Sequence, residues 1–408
     1  MAAPVAGLTS GAAVTGSWPD WVGELRLVDH HCHSVLGRAL DPAGFGTLLT
    51  EAPAPAPGAD PFDSAVGLAV RRECSPLLDL PVHAPASDYL ARRTELGVAE
   101  VTRRLFAATG SDRLLVDHGY RGDDLLDLDQ LGAAAGVPVA EVVRLEAVAE
   151  QVADGGVGAE EYPAALAAEV ARRASSAVGC KSILAYRYGF DVEPTRPSRA
   201  EVAVAIDRWL AQRADADAAA DAGDNEAAAD PGARRIADPV LLRHALWCGV
   251  DAGLPVQLHT GFGDPEEDLH RANPALLAGF CRATEATGTP IVLLHCYPYH
   301  REAAWLTHCF PHVYLDVGLA STYVGYRASA LLAEVLELAP FGKVLYSSDA
   351  FGLPELYLVA AHAFRRAVSE VLGDWEASGE AAGADVRRIA RMIAEENAVR
   401  LYRLPAAA

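Results

Sequence analysis

Lysine is almost absent from this sequence. Of the 34 basic residues, only Lys181 and Lys343 are lysines, and all the others are arginines. The chain uses arginine wherever a positive charge is enough, so the two lysines are candidates for positions that need an amine. Acidic residues number 55, and the formal net charge of −21 counts against a nucleic-acid-binding surface. This balance favours an enzyme with a small-molecule substrate and no nucleic-acid partner.

Three further features are missing. No uncharged apolar run reaches the ~18 residues needed to span a membrane. Residues 1–18 contain no basic side chain and no long apolar core, so they do not resemble a signal peptide. The seven cysteines form no CxxC pair, and such an odd, scattered set predicts buried free thiols. We therefore expect a cytoplasmic protein with no membrane partner, and the sequence leaves open whether it forms a homo-oligomer.

Eight short apolar runs alternate with segments of helical periodicity. The runs cover residues 25–28, 114–116, 142–145, 180–185, 255–258, 291–294, 313–315 and 344–346. Strands that alternate with helices pair in parallel through right-handed crossovers. Eight such units predict an α/β fold, a single closed (β/α)8 TIM barrel that takes up residues 1–408 as one domain.

Two insertions account for the length beyond a minimal barrel. Residues 39–87 are rich in Pro, Gly and Ala and follow the first strand directly, at the carboxyl-terminal mouth where barrel active sites lie. A substrate lid and an irregular surface loop are both open readings of this segment. Residues 214–234, before the fifth strand, are acidic and of low complexity, so we expect a disordered linker without function there.

The first apolar run ends in the sequence VDHHCH, residues 28–33. Side chains alternate between the two faces of a β-strand, so Asp29, His31 and His33 share one face, and His30 faces the other way as a packing or supporting group. Two imidazoles that are two residues apart on one strand can hold a metal ion from the same side. The motif therefore predicts the first half of a metal site.

Three other runs end in suitable partners. His259 ends the fifth run, His295 ends the sixth, and Asp349 follows the eighth. A parallel barrel brings the carboxyl ends of its strands to one rim, so these side chains converge. Neutral imidazoles and a carboxylate are ligands of Zn²⁺, Mn²⁺ and Fe²⁺. A single histidine at a strand end is usually structural, and it is the combination that predicts a divalent-metal site.

This combined pattern, from residue 25 to residue 365, resembles the amidohydrolase superfamily. In that superfamily the first strand supplies an HxH pair, the fifth and sixth strands supply one histidine each, and the eighth supplies an aspartate. The metal ligands that the resemblance implies are His31, His33, His259, His295 and Asp349. Zinc is the main candidate for the ion, with manganese or iron as alternatives.

Binuclear members of the superfamily also use a lysine of the fourth strand, which CO₂ carboxylates so that it bridges two metal ions. The resemblance therefore implies that Lys181, the only lysine of the fourth run, is a further ligand if the site is binuclear. Arginine cannot form this carbamate, so a lysine kept at this position in a chain that otherwise uses arginine is consistent with a specific need for an amine. The alternative is a lysine that stays a plain cation beside a single ion.

Two segments indicate a branch of the superfamily. KSILAYRYGF at residues 181–190 and YSSDAFGLPELY at residues 346–357 are similar to the amidohydrolase-2 branch. Within that branch they resemble the domain that is fused to a glutamine-synthetase-like module in FluG/nodulin-type proteins. This resemblance implies a hydrolase and hints at γ-glutamyl amides or related carboxylated amides as substrates.

The ligands also suggest how catalysis would proceed. A bound divalent ion lowers the pKa of its water from 15.7 towards ~7 and polarises a substrate carbonyl. Asp349 can accept the proton of the water and deliver it to the leaving nitrogen. His295 either binds a second ion or donates a hydrogen bond to the developing oxyanion. We therefore predict that Asp349 and His295 are the catalytic residues.

Three other residues are candidates for substrate binding. If the fourth run is a regular strand, Arg187 lies on the same face as Lys181, where its guanidinium can hold a substrate carboxylate. A structural ion pair at the rim is the alternative for Arg187. His118 follows the second run and Tyr297 shares a face with His295, so both are expected to line the pocket.

The sequence thus favours a metal-dependent amidohydrolase that cleaves the C–N bond of an amide or cyclic amide in a small carboxylated substrate. A non-hydrolytic decarboxylase of an aromatic or unsaturated acid, with one metal and an unmodified Lys181, is the alternative, because the branch includes such enzymes. A catalytically silent barrel is a third reading, and the intact set of ligands disfavours it.

Overall fold

The fold of this chain is given by a computed structural model, which describes residues 18–119, 124–221 and 234–405. The strands are β1 (Leu27–Cys32), β2 (Ser111–Asp117), β3 (Val139–Arg144), β4 (Gly179–Ser182), β5 (Val256–Thr260), β6 (Ile291–His295) and β7 (Val313–Leu315). The helices are α1 (Asp20–Gly23), α2 (Pro42–Thr47), α3 (Ala65–Glu73), α4 (Ala86–Leu96), α5 (Val98–Thr109), α6 (Leu128–Ala135), α7 (Leu145–Asp154), α8 (Tyr162–Ala174), α9 (Leu184–Arg187), α10 (Arg199–Asp221), α11 (Pro239–Asp251), α12 (Ala278–Thr284), α13 (His300–Cys309), α14 (Ala320–Tyr323), α15 (Ala328–Leu336), α16 (Pro354–Ser378), α17 (Gly383–Arg391) and α18 (Asn397–Leu401).

In the described part of the chain, the sheet has seven strands in the order of the sequence, and every neighbouring pair is parallel. The predicted eighth run, residues 344–346, does not form a regular strand but bridges the two edges. Leu345 N donates to Leu315 O of β7 at 3.0 Å, and His30 N of β1 donates to Tyr346 O at 3.2 Å. The predicted parallel α/β architecture is therefore confirmed in a TIM-barrel-like form.

The fourth strand is shorter than the sequence predicts. It ends at Ser182, and the apolar residues that follow belong to α9. The turn is fixed by Glu146, whose Oε1 accepts hydrogen bonds from Ser182 Oγ at 2.6 Å and from Ile183 N at 3.0 Å. Two consequences follow: Lys181 lies at the carboxyl end of its strand, and Arg187 lies on a helix, so the predicted shared strand face was wrong.

The insertion after β1 is a packed helical layer. Residues 39–87 contain α2 and α3 and lead into α4, and Phe45, Phe62 and Tyr89 are buried together. Arg93 and Tyr89 both donate to Glu355 Oε1 on α16, at 2.6 and 3.0 Å. This buried contact attaches α4 to the barrel. Six residues of the insertion line the central cavity: Thr47, Leu48, Thr50, Glu51, Ala52 and Pro53.

The insertion before β5 is partly helical. Helix α10 continues to Asp221, so residues 214–221 are ordered where the sequence analysis expected disorder. Alanine has the highest intrinsic helix propensity, and this stretch is rich in it, which overrides its acidic, low-complexity character. Residues 222–233 of the predicted linker lie outside the described part of the chain.

The amino-terminal end of the barrel is filled by the last part of the chain. Ala398, Leu401, Tyr402 and Leu404 form one buried cluster with inward-facing strand residues, among them Val28 of β1. Asn397 Nδ2 donates to the carbonyl oxygens of residues 341 and 344, both at 2.8 Å, which anchors the segment below the sheet. The carboxyl-terminal mouth is therefore the open end.

None of the seven cysteines forms a disulfide bond. Six cysteines are buried, Cys309 is exposed, and all seven are free thiols, as the scattered pattern predicts. Among the described residues, no helix combines the length and the apolar character that crossing a membrane would require.

Candidate metal centre

His31, His33 and Asp349 meet at the carboxyl end of β1. The His31 Nε2 atom lies 3.0 Å from Asp349 Oδ1, and His33 Nε2 lies 3.5 Å from the same oxygen. These three side chains can offer ligand atoms that all lie within 4.8 Å of one another. Zinc binds imidazole nitrogen and carboxylate oxygen at ~2.0–2.2 Å, and ligand atoms around one such ion have separations of this size. The residues therefore fit a divalent cation.

The Nδ1 atoms of both histidines have hydrogen-bond partners, and their Nε2 atoms face the centre of the group. His33 Nδ1 lies 2.9 Å from the backbone carbonyl of Asp117, which can only accept, so Nδ1 carries the proton. His31 Nδ1 lies 2.8 Å from Gln257 Oε1. Metal-binding histidines are usually oriented by such contacts. Burial, followed by the charge of Lys181, lowers the pKa of His31 to about 4, which keeps its ring neutral.

Asp349 is held in a strained backbone conformation. Its φ is 50°, and its backbone N donates to His31 O at 3.1 Å. Burial opposes ionisation, but His295, His31 and His33 together hold the pKa of Asp349 well below its usual range. Strain of this kind persists only where the surroundings enforce it, and it is common at functional sites. The Asp349 side chain is thus an anion fixed among imidazoles.

Lys181 reaches the same centre from β4. Its Nζ atom lies 3.1 Å from His31 Nε2, and the residue is only 2% exposed. Burial lowers the pKa of Lys181 to about 8, although Asp349 opposes the shift. Lys343, the other lysine, donates to the backbone carbonyls of Thr307 and Phe310. One lysine is therefore a site residue and the other ties backbone segments together.

His295 faces Asp349 from β6. Its Nε2 atom lies 3.5 Å from Asp349 Oδ2, and its φ of 65° turns the backbone at the end of the strand. Burial lowers the pKa of His295 well below the ordinary value. Its Nδ1 atom is buried and has no hydrogen-bond partner among the described residues. An orphaned nitrogen in this position can be satisfied by a ligand of the site.

His259 lies next to this group but has another partner. Its Nε2 atom lies 3.1 Å from Glu267 Oε2. Its ring centroid lies 4.2 Å from that of Tyr186 and 4.7 Å from that of His295. The structure therefore brings His259 to the rim of the centre without joining it to the group formed by His31, His33 and Asp349.

A cavity of about 410 Å³ opens onto this group, and its lining includes His33, Lys181, His259, His295 and Asp349. Arg187 lines its wall; the Arg187 Nη2 atom lies 3.3 Å from Glu150 Oε1, and Arg187 Nε is buried without a partner among the described residues. Glu51, from the first insertion, lines it as well. Burial, followed by the nearby Asp349, raises the pKa of Glu51 to about 7, although the hydroxyl of Tyr323 donates to its carboxylate.

Comparison with known proteins agrees with this geometry. The family model Amidohydro_2, described as amidohydrolase, matches residues 143–404. The chain belongs to the amidohydrolase family. This amidohydrolase is 33% identical over 230 residues to protein fluG of Emericella nidulans, a match that covers 56% of the chain and only 26% of the fungal protein. The chain thus spans about a quarter of that relative's length.

Solved structures extend the comparison to the whole fold. A protein from Lactobacillus casei ATCC 334, provisionally assigned as a metal-dependent hydrolase, is 28% identical, with a TM-score of 0.81 over 94% of this chain and 96% of that one. An uronate isomerase from Bacillus halodurans C-125 is 11% identical, with a TM-score of 0.61 over 95% and 96% of the two chains, and shares the fold alone. The amidohydrolase is a hydrolase, and its ligand set indicates a divalent metal.

Two predicted substrate-binding residues of the amidohydrolase lie away from the cavity. Tyr297 is 38% exposed and stacks on His300 with ring centroids 6.0 Å apart. The positive φ of His295 reverses the backbone there, so strand alternation no longer applies beyond it. Asp117, the last residue of β2, points inward, so His118 is turned aside and its Nε2 lies 3.3 Å from Leu126 O.

Other groups that support the centre had no role assigned from the sequence, although Asp29 was predicted to share a strand face with His31 and His33. Arg144 lines the cavity and donates through Nη2 and Nε to Asp117 Oδ2, at 2.6 and 2.9 Å. Asp29 accepts from Ser348 N at 2.9 Å and from Ser348 Oγ at 2.5 Å, which fixes the residue beside Asp349. The sequence signal for each pair was its aspartate, Asp117 or Asp29, which directly follows an apolar run.

Proposed function

We propose that this amidohydrolase cleaves the C–N bond of an amide or cyclic amide in a small carboxylated substrate, with γ-glutamyl amides as the favoured class. The observation that carries the proposal is the group of His31, His33 and Asp349, two of which, His33 and Asp349, line a cavity that Arg187 also lines. The match to the family model described as amidohydrolase supports the choice of amide substrates.

The roles of the side chains follow from their positions. His31, His33 and Asp349 would hold a divalent ion, with zinc as our first choice and manganese or iron as alternatives, and such an ion would acidify a bound water and polarise the substrate carbonyl. The carboxylate of Asp349 accepts the proton of the water and delivers it to the leaving nitrogen. His295, kept neutral by burial, would bind the second ion if the site holds two, and would donate a hydrogen bond to the developing oxyanion if it holds one.

Lys181 is the residue we propose to be carboxylated, which makes room for a second ion. The nitrogen of a neutral amine attacks the carbon of CO₂, the N–C bond forms, and a proton is released to solvent. Burial lowers the pKa of Lys181 to about 8, so more of the amine is neutral near physiological pH than in an exposed lysine. The Lys181 Nζ atom lies 3.1 Å from His31 Nε2, and this position supports a ligand role for the end of the lysine side chain.

A decarboxylase of an aromatic or unsaturated acid is the second candidate. The observation that favours it is the position of His259, which contacts Glu267 and leaves a group of three ligands suited to one ion. Such a reaction would need no bridging lysine. The two candidates therefore differ in metal count and in product.

The direct test is a substrate screen with zinc-reconstituted enzyme. We expect release of amine from a γ-glutamyl anilide or an N-acyl amide, loss of that activity after chelation, and its return with Zn²⁺. Release of CO₂ from an aromatic acid, without amide hydrolysis, would replace the proposal by the decarboxylase. The apo-enzyme before zinc addition serves as the background control.

Arg187→Met is expected to raise KM for a carboxylated amide about 10- to 100-fold, because hydrogen bonds to charged groups contribute ~1.5–3 kcal/mol. KM for an analogue with a neutral amide in place of the carboxylate should change little. Steady-state kinetics with both substrates measure the difference. Arg172→Met is a matched control, because Arg172 pairs with Glu169 on the surface of α8. Equal effects on both substrates would contradict a carboxylate-binding role.

A further inference from the structure

A continuous chain of buried polar side chains runs beneath the metal ligands. It begins at Asp316 after β7, passes through His30 and Tyr402 to Gln257 on β5, and ends at His31, and none of the five residues is more than 4% exposed. The sequence analysis gave His30 only a general supporting role and gave Tyr402 and Gln257 no role.

The contacts are of hydrogen-bond length throughout. His30 Nε2 lies 2.8 Å from Asp316 Oδ2, and His30 Nδ1 lies 3.0 Å from Tyr402 Oη. Gln257 Nε2 lies 2.9 Å from Tyr402 Oη and 2.8 Å from the backbone oxygen of His30. Gln257 Oε1 then lies 2.8 Å from His31 Nδ1. Each polar group below His31 thus has a partner.

The direction of these hydrogen bonds is determined at Gln257. A backbone carbonyl can only accept, so the amide nitrogen of Gln257 must face His30 O, and its second hydrogen is donated to Tyr402 Oη. The amide oxygen is left facing His31, whose Nδ1 must then carry the proton. Tyr402, which accepts from Gln257, donates its own proton to His30 Nδ1, and His30 donates through Nε2 to Asp316.

This arrangement matters because the two neighbours of His31 Nε2 favour different protonation states of that atom. Asp349 Oδ1, 3.0 Å away, would accept a proton from Nε2, whereas Lys181 Nζ, 3.1 Å away, would donate to a lone pair there. A metal ligand needs the lone pair on Nε2. Gln257 acts from the opposite side of the ring and favours the tautomer that binds metal.

We propose that Gln257, held in orientation by His30 O and Tyr402, is a positioning residue that fixes the tautomer of the metal ligand His31. Its consequence for catalysis rests on the proposed metal function of His31, whereas the tautomer itself does not. The packing of Tyr402 makes the support rigid: its ring stacks on His30 with centroids 5.8 Å apart and lies within the cluster that fills the bottom of the barrel.

The experiment compares Gln257→Met, Gln257→Glu and Tyr402→Phe. Gln257→Met removes the acceptor for His31 Nδ1 and is expected to raise the dissociation constant for Zn²⁺ about 10- to 100-fold. Gln257→Glu keeps an acceptor oxygen there, and as the neutral acid its hydroxyl can still donate to His30 O, so it should recover most of the affinity. Tyr402→Phe should have a smaller effect, because His30 O still holds one amide hydrogen. Zinc affinity is measured by chelator competition.

Two readouts separate positioning from general stability. Tyr162→Phe is the matched control, because Tyr162 is also buried and its hydroxyl donates to Ala149 O at 2.9 Å, and neither residue lines the cavity. It should lower unfolding stability without changing zinc affinity. In metal-free protein, ¹⁵N shifts of labelled histidine should give His31 as the Nδ1–H tautomer in the parent and in Gln257→Glu.

The outcomes distinguish failure of the positioning role from failure of the proposed metal function. An Nε2–H or doubly protonated His31 in the metal-free parent, or equal loss of zinc affinity in Gln257→Met and Gln257→Glu, would overturn the positioning role. A correct tautomer together with zinc binding that His31→Ala leaves unchanged would instead support the positioning geometry and overturn the proposed metal function.

Discussion

Asp349→Asn is expected to lower kcat/KM for the proposed amide substrate by roughly 10³-fold or more, because we propose that one carboxylate serves as both metal ligand and proton carrier. Asparagine keeps the size of the side chain but cannot accept the proton of the water and is a weaker ligand. The loss should appear mainly in kcat once the enzyme is saturated with metal. Steady-state kinetics at increasing Zn²⁺ concentration separate the chemical defect from weak metal binding.

The control for this substitution is Asp238→Asn. Asp238 caps α11 by accepting from Val240 N at 2.8 Å, and asparagine is an equally good cap, so activity and stability should stay unchanged. Asp349→Asn should fold as the parent does, by circular dichroism and thermal unfolding. Retention of more than a tenth of the parent kcat/KM in zinc-loaded Asp349→Asn would remove Asp349 from the catalytic role.

Lys181→Arg is expected to reduce the bound zinc from two ions per chain to one and to abolish amide hydrolysis, because a guanidinium cannot form the bridging carbamate. Metal analysis after reconstitution with and without bicarbonate gives the stoichiometry. With ¹³C-bicarbonate, the parent should show a single carbamate signal that the variant lacks. The chain contains only one other lysine, so this signal can be assigned with one further variant.

Lys343→Arg provides that variant. Lys343 donates to two backbone carbonyls away from the cavity, and an arginine can make similar contacts, so metal content and activity should persist. A parent enzyme that binds one zinc per chain and has an unmodified Lys181 would count against the binuclear hydrolase. That result would favour the decarboxylase instead.

The sequence was sufficient to predict the parallel architecture and the grouping of His31, His33 and Asp349. His31, His33 and Asp349 were predictable because strand alternation and the common rim of a parallel barrel are general rules that need no knowledge of loops. Lys181 was found because of its rarity. Its position at the end of β4 was not evident, since the apolar residues of α9 extend the same run.

The residues that sequence reasoning misplaced lie where the backbone leaves regular geometry. Tyr297 follows two residues with positive φ, and Arg187 follows a turn fixed by Glu146. Neither the turn nor the φ values leave a periodic signal. Gln257 and Tyr402 were missed for a different reason. Their importance depends on a contact between distant parts of the chain, which no local pattern contains.

The filled bottom of the barrel has a consequence for the order of assembly. His31 stands on the first strand, whereas Tyr402, which helps to orient its support, comes from the last part of the chain; the contact between His30 and Tyr402 spans 372 positions. Contacts of such long range form late, because loop closure must precede them. The support beneath His31 is therefore complete only when β1 and the segment that follows α18 have come together.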